Sequence, residues 1–413
     1  MRQSIIFILY LLCTFTARSQ SALTPEQTGS IYYAYPVPSS TYTPAPAGYE
    51  PFYISHYGRH GSRWMTADER YTEVVCVFDS LYQCSELTPL GVDVRGRLHK
   101  VWEDARGCSG SITPLGERQH REIAERMYRN FPQVFRGGAF IDARSSTSLR
   151  CAMSMSYFTE RLKELNPGLQ VNRRAYHRYM DYIAYTSPEG EKFASEKAPW
   201  RRGFREFEKK NVRPERLMAS LFVKPEAITD QDAMMRSLYW IAADMQNVEL
   251  DLSFYDIFEY EELVGVWKTV NARMYVCNAA APLNGGLMPR CAVPLLRNIL
   301  ESADAAIEKG TPAADLRFGH DTHLIRLLAL MQIEGCSNQE VDMEKFHLAW
   351  QDYRVSPMGA NLQLIFYRDK KNDILVKFLL NECEVTLPLK SKMVPYYSWK
   401  EVETFLAEII GKE

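Results

Sequence analysis

Residues 52–63 read Phe-Tyr-Ile-Ser-His-Tyr-Gly-Arg-His-Gly-Ser-Arg, and the fold follows from how this stretch divides. Phe52 to Tyr57 has the aromatic and β-branched composition of a strand. Gly58-Arg59-His60-Gly61 interrupts it with two glycines. From Ala67 to Tyr82 apolar residues return at helical spacing. A strand, a glycine loop and a helix, in that order, open an α/β sheet.

The alternation recurs downstream. Thr113-Pro114 predicts a helix start, a capping threonine with proline in the first turn, and the helix runs on through Phe131. Gly138 to Ala143 reads as a second strand, ending at Arg144. A Ser/Thr cluster then leads into a helix that carries Arg150 and Ser154. From about Tyr176 to Asn284 the pattern is helical, with no strand between. Pro294 to Lys309 predicts a helix, Ala314 to Gly319 a strand, and a further helix follows His320-Asp321. Asn361–Tyr367 and Ile374–Leu380 read as an antiparallel pair joined by a polar turn. The expected architecture is α/β: a core made of residues 51–175 and 285–413, with an α-helical cap, 176–284, inserted between its halves.

The ends and the composition bound the rest. Arg2, the apolar run Ile5–Phe15 and the small-x-small stretch Ala17-Arg18-Ser19 read as a signal peptide over 1–19, which implies a periplasmic or secreted protein. The run is too short to span a bilayer, and no membrane association is expected. Residues 20–50, rich in Pro, Ser, Thr and Tyr, read as an extended arm. The 413 residues carry 49 basic and 51 acidic side chains, a net charge of −2, which gives no reason to expect nucleic acid as a partner. Beyond Cys13, eight cysteines remain. An oxidising compartment permits disulfides among them, and the sequence leaves their pairing open.

Three strands thus end in polar residues: Arg59-His60-Gly61-Ser62-Arg63, Arg144 to Arg150, and His320-Asp321. Ligands of open α/β sheets bind beyond the carboxyl ends of the strands. If these strands are neighbours, one pocket gathers two histidines, an aspartate and three or four arginines. Arginine's fixed fork of donors matches phosphate oxygens. A neutral imidazole is a competent nucleophile toward phosphorus, and an aspartic acid can protonate a leaving oxygen. His320-Asp321-Thr322-His323 also has a reading as a metal-ligand cluster, but no second cluster at ligand spacing accompanies it. Arg144 reads either as a support for the pocket or as a surface charge. The basic stretch Arg201 to Lys210 reads either as a solvated helix face or as a rim for a polyanionic substrate.

Arg59-His60-Gly61-Ser62-Arg63 resembles the RHGxR signature of the histidine phosphatases. His320-Asp321 resembles the later HD pair of the histidine acid phosphatase branch, and Arg144 through Ser154 is similar to its RSSxxxRxxxS stretch. Thr113-Pro114-Leu115-Gly116-Glu117 points within that branch to the phytase and multiple inositol polyphosphate phosphatase group. Met65 stands where many members have proline. His320-Asp321-Thr322 stands where many inositol polyphosphate phosphatases have His-Ala-Glu. The resemblance implies a three-layer, phosphoglycerate mutase-like core and hydrolysis of a small phosphorylated molecule without a cofactor or metal. It implies His60 as the phosphate acceptor and Asp321 as the proton donor. Arg59, Arg63, Arg150, His320 and Arg144 are implied as phosphate-binding residues. Inositol polyphosphates such as phytate are the implied substrates, with sugar phosphates as the alternative.

Overall fold

The computed structural model describes residues 22–38 and 41–411. The expected signal peptide lies outside them. Eight strands form one sheet: β1 (Glu50–Arg59), β2 (Phe140–Ser145), β3 (Gln170–Arg174), β4 (Ala314–Gly319), β5 (Asn361–Arg368), β6 (Ile374–Leu380), β7 (Cys383–Val385) and β8 (Tyr396–Ser398). Their order is β3-β2-β4-β1-β5-β6-β7, with β8 also on β6. The four strands β3, β2, β4 and β1 run parallel, and β5 onward is antiparallel. Because β4 sits between β2 and β1, with Gly319 opposite Arg59 and Phe318 opposite Ser145, the three polar strand ends meet at one edge.

Strand alternation separates the two faces of the sheet. Ile54, Ile141, Leu316, Phe318 and Ile365 pack on one side against α3 (Pro114–Asn130) and α4 (Leu149–Leu165). Tyr53, Tyr57, Leu362 and Leu364 pack on the other, against the helices Val293–Lys309, Asp321–Leu330 and Trp399–Gly411. The result is the expected three-layer arrangement. The antiparallel pair β5–β6 and the strand Ala314–Gly319 lie where the pattern places them.

The helical part shares its apolar core with helices upstream of it. Between residues 177 and 284 the described chain contains helices and no strand. Its helices Glu215–Leu221, Gln231–Asp244 and part of Tyr260–Asn278 share an apolar cluster with the helices Glu69–Gln83 and Pro89–Ala105. The helix Arg201–Asn211 packs instead with the sheet-side cluster through Phe204 and Phe207. Helical periodicity names an apolar face but not the partner that covers it. Met65 is buried in this helical cluster.

The stretch read as an extended arm contains a 3-10 helix, Gln27–Tyr32, in which Thr28, Gly29, Ser30 and Tyr32 are buried. Tyr32 joins the helical cluster. No disulfide joins Cys76, Cys84, Cys108, Cys151, Cys277, Cys291 and Cys336 to one another. No helix of the described residues is long and apolar enough to cross a membrane.

Candidate active site

The carboxyl ends of β1, β2 and β4 gather Arg59, His60, Arg63, Arg150, His320 and Asp321. The backbone builds the frame. His60 N donates to Gly319 O at 3.1 Å, Gly359 N donates to His60 O at 2.9 Å, and Ser146 N donates to Phe318 O at 3.0 Å. Gly61 N donates to Ser154 Oγ on α4 at 3.2 Å, and Ser62 N donates to Gln119 Oε1 on α3 at 2.8 Å. The loop after β1 is therefore tied to the helices on one face of the sheet.

His60 is buried, and its Nδ1 lies 2.9 Å from Gly61 O. A carbonyl only accepts, so Nδ1 carries the proton and Nε2 keeps its lone pair. Burial, followed by the charges of Arg59, Arg63, His320 and Arg150, pushes the His60 pKa well below the usual histidine range. The imidazole stays neutral and nucleophilic in acid.

The arginines surround it with unused donors. Arg59 is fully buried and gives its Nη1 to Ile31 O at 2.6 Å and Ser356 O at 2.8 Å. Its Nε and Nη2 have no hydrogen-bond partner among the described residues. Burial lowers its pKa to about 10, which leaves it charged. Arg63 gives Nη1 to Tyr32 OH at 3.0 Å and to Trp64 O at 2.9 Å. Arg150 donates from Nη2 to His320 Nε2 at 2.8 Å. The Nε atoms of both are likewise buried without a partner among the described residues. Leaving such donors unmet in the interior is costly, and an oxyanion is the group that would satisfy them all. Burial and Arg150 lower the His320 pKa to about 4. Its ring centroid is 5.7 Å from that of His60.

Asp321 opens the helix Asp321–Leu330, and Thr322 N donates to its Oδ1 at 2.8 Å. Its Oδ2 lies 3.5 Å from Arg59 Nη2. Burial alone would raise its pKa, but Arg59 and His320 outweigh burial and hold it below the usual carboxylate range.

Arg144 is not part of this group. The period of two along β2 puts it on the same face as Asp142, which it contacts, and it pairs with Asp315 at 3.3 Å. Arg201 is also withdrawn: it is buried, lies over the Trp200 ring at 4.3 Å, and bonds to Ala194 O at 3.0 Å. Arg202 and Arg205 are exposed, off the face that Phe204 and Phe207 bury. Among the described residues no group of three His, Cys, Asp or Glu side chains is placed to hold a metal ion. No motif in the sequence marks Ile31, Tyr32, Asn247 or Ser356, which hold the arginines and the loop in place.

A sequence model described as histidine phosphatase superfamily (branch 2) matches residues 59–381. Solved structures share the fold. A Bifidobacterium longum multiple inositol polyphosphate phosphatase in complex with phosphate is 19% identical, with a TM-score of 0.77, over 92% of this chain and 97% of that one. Its complex with inositol hexasulfate gives a TM-score of 0.76 at 17% identity, over the same shares of each chain. A phytase from D. castellii gives 0.68 at 15% identity, over 94% of this chain and 85% of that one. A search of curated proteins finds no match.

Proposed function

The chain belongs to the histidine phosphatase superfamily, branch 2, and from that premise we propose that it hydrolyses phosphate monoesters through a phosphohistidine on His60. The observation that carries this reading is the neutral imidazole of His60, its Nδ1 turned to Gly61 O, amid arginine Nε donors that have no hydrogen-bond partner among the described residues. Nε2 attacks phosphorus in line with the departing alkoxide. Arg59, Arg63 and Arg150 hold the equatorial oxygens, where charge builds in the transition state. His320, whose Nε2 accepts from Arg150, has Nδ1–H left to donate to the same oxygens. Asp321 protonates the alkoxide, and its carboxylate then activates the water that cleaves the phosphohistidine.

Inositol polyphosphates are the proposed substrates. Fold neighbours that are inositol polyphosphate phosphatases and phytases support this class. The wall beside the site supports it too. Residues 176–187 border the strand ends: Tyr57 OH donates to Ile183 O at 3.0 Å, and Thr147 N lies 3.5 Å from Met180 Sδ. On this wall Arg178 is exposed, its guanidinium 5.3 Å from the Tyr176 ring centroid and 5.6 Å from that of Tyr179. It offers a cation to a second phosphate. The apolar N-terminal stretch supports export of the enzyme.

Rapid quench with radiolabelled phytate tests the reading. We expect acid-labile, base-stable label on the wild type and none on His60→Ala, whose turnover should also be abolished. Label retained by a folded His60→Ala, or no phosphate released from any ester by the wild type, would refute it.

A further inference from the structure

We infer that the N-terminal segment Gln27–Tyr33 is a positioning element of the active site, and that Tyr32 is the residue through which it aims Arg63. The inference rests on the functional reading above and deepens it. The segment lies upstream of the matched family stretch, 59–381.

A guanidinium presents more than one pair of donors, and which pair meets a phosphate depends on how the rest is tied. In both Arg59 and Arg63 the tied nitrogen is Nη1. Residues 31 and 32 supply one of its two acceptors in each case: Ile31 O for Arg59, and Tyr32 OH for Arg63. The Nε atom of each is left buried and open among the described residues. The Arg63 guanidinium also lies 4.8 Å from the Tyr32 ring centroid, so the ring face limits its tilt.

The segment is held firmly enough to act as a reference. Asn247 Nδ2 donates to Tyr32 O at 2.9 Å, and Asn247 Oδ1 accepts from Ser62 Oγ at 2.7 Å. One side chain therefore joins the segment to the loop that carries His60 and Arg63. Met358 N donates to Tyr33 O at 2.8 Å, Tyr239 OH to Thr28 O, and Ser30 Oγ to the buried carboxylate of Asp352. Ser30 holds φ +60° and ψ −134°, a strained conformation for a residue with a Cβ. Such strain persists only where the surroundings over-determine it.

Orthophosphate binding, followed by titration calorimetry, tests the inference without requiring turnover. The proteins compared are wild type, Tyr32→Phe, Tyr32→Leu, Arg63→Ala and the double variant Tyr32→Phe/Arg63→Ala. Tyr32→Phe keeps the ring and removes one hydrogen bond to a charged group, so it should weaken phosphate about tenfold with little change in the melting temperature of the unliganded protein. Tyr32→Leu should weaken it further. In the Arg63→Ala background, Tyr32→Phe should cost nothing more. Wild-type affinity in Tyr32→Phe, or the same loss in both backgrounds, would overturn the inference and leave Tyr32 a packing residue. If the Leu variant does not fold, the Phe pair alone decides. A wild type that binds orthophosphate yet cleaves no ester would remove the functional reading while leaving this cycle readable.

Discussion

The proton-donor role proposed for Asp321 runs against its surroundings. Arg59 and His320 hold its carboxyl below the usual carboxylate range. A bound phosphate dianion opposes those charges and returns proton affinity to Asp321. We expect Asp321→Asn to slow inositol phosphates by about 10²–10⁴-fold and an aryl phosphate far less, because an aryl oxide departs without protonation. Equal losses on both would take Asp321 out of the acid role. The pH dependence follows in the same sense. His60 is neutral well into acid, whereas protonated Asp321 becomes scarce as pH rises. kcat/KM for alkyl phosphates should therefore decline toward neutral pH more steeply than for aryl phosphates, a comparison that initial-rate profiles will check. These residues were legible because each sits in a short motif at the end of a readable strand. Arg144 sits in such a motif too, yet the strand period turns it to Asp142 and Asp315. The role of Ile31 was illegible in principle: it acts through a backbone oxygen on a guanidinium 28 residues away, which no side-chain pattern records.

Among the elements, the start of α3 shows how secondary structure reaches the chemistry. Thr113 Oγ1 accepts from Gly116 N at 3.2 Å, and Pro114 occupies the first turn. This start was readable, because caps are local. What the sequence did not display is that the same turn seats the loop that carries His60. A Cβ on Gly116 would lie 2.1 Å from Ser62 O, and one on Gly61 would lie 2.7 Å from Gly116 O. Both glycines are required by this close backbone approach. We expect Thr113→Ala to cost about 1 kcal/mol of stability with kcat nearly intact. Gly116→Ala should displace the loop and lower kcat at least tenfold, since small misplacements of reacting groups are expensive. Melting curves alongside kcat separate the two. Normal turnover in Gly116→Ala would mean the loop tolerates a shift. The strand Gln170–Arg174 was overlooked for a related reason: Gln-Val-Asn-Arg-Arg is a polar sequence at the edge of the sheet, and only its neighbour β2 makes it a strand.

For the whole molecule, acid chemistry and acid stability pull apart. The three layers were legible from alternating strands and helices, but the polar groups sealed between layers were not, since burial of a polar side chain depends on tertiary partners. His56 is sealed between Phe158 and Phe318, with ring centroids 5.3 and 5.2 Å away, and burial lowers its pKa to about 3. His120 has neither ring nitrogen hydrogen-bonded among the described residues, and burial lowers it to about 3 as well. A histidine with a depressed folded pKa stays neutral while its unfolded counterpart protonates, so the unfolded state binds more protons between about pH 6.5 and 3. Stability is therefore lost as pH falls through that window, by at most about 1.4 kcal/mol per pH unit for each such histidine. Buried Asp244 and Asp352 act in the opposite sense. Burial raises them to about 7 and about 6, so each adds stability as pH falls from its folded value toward its unfolded one. His60, His320, His323 and His347, all lowered, join the first group, and these six histidines outweigh the two carboxyls. The acid limit of the enzyme should then be set by unfolding rather than by protonation of His60. We expect the melting temperature to drop between pH 6.5 and 4.5, and the double variant His56→Leu/His120→Leu to drop less. Both sites are lined by apolar rings, so a leucine should fit there with modest loss at neutral pH. Parallel melting curves for wild type and variant across that range would show that these two histidines do not govern acid stability.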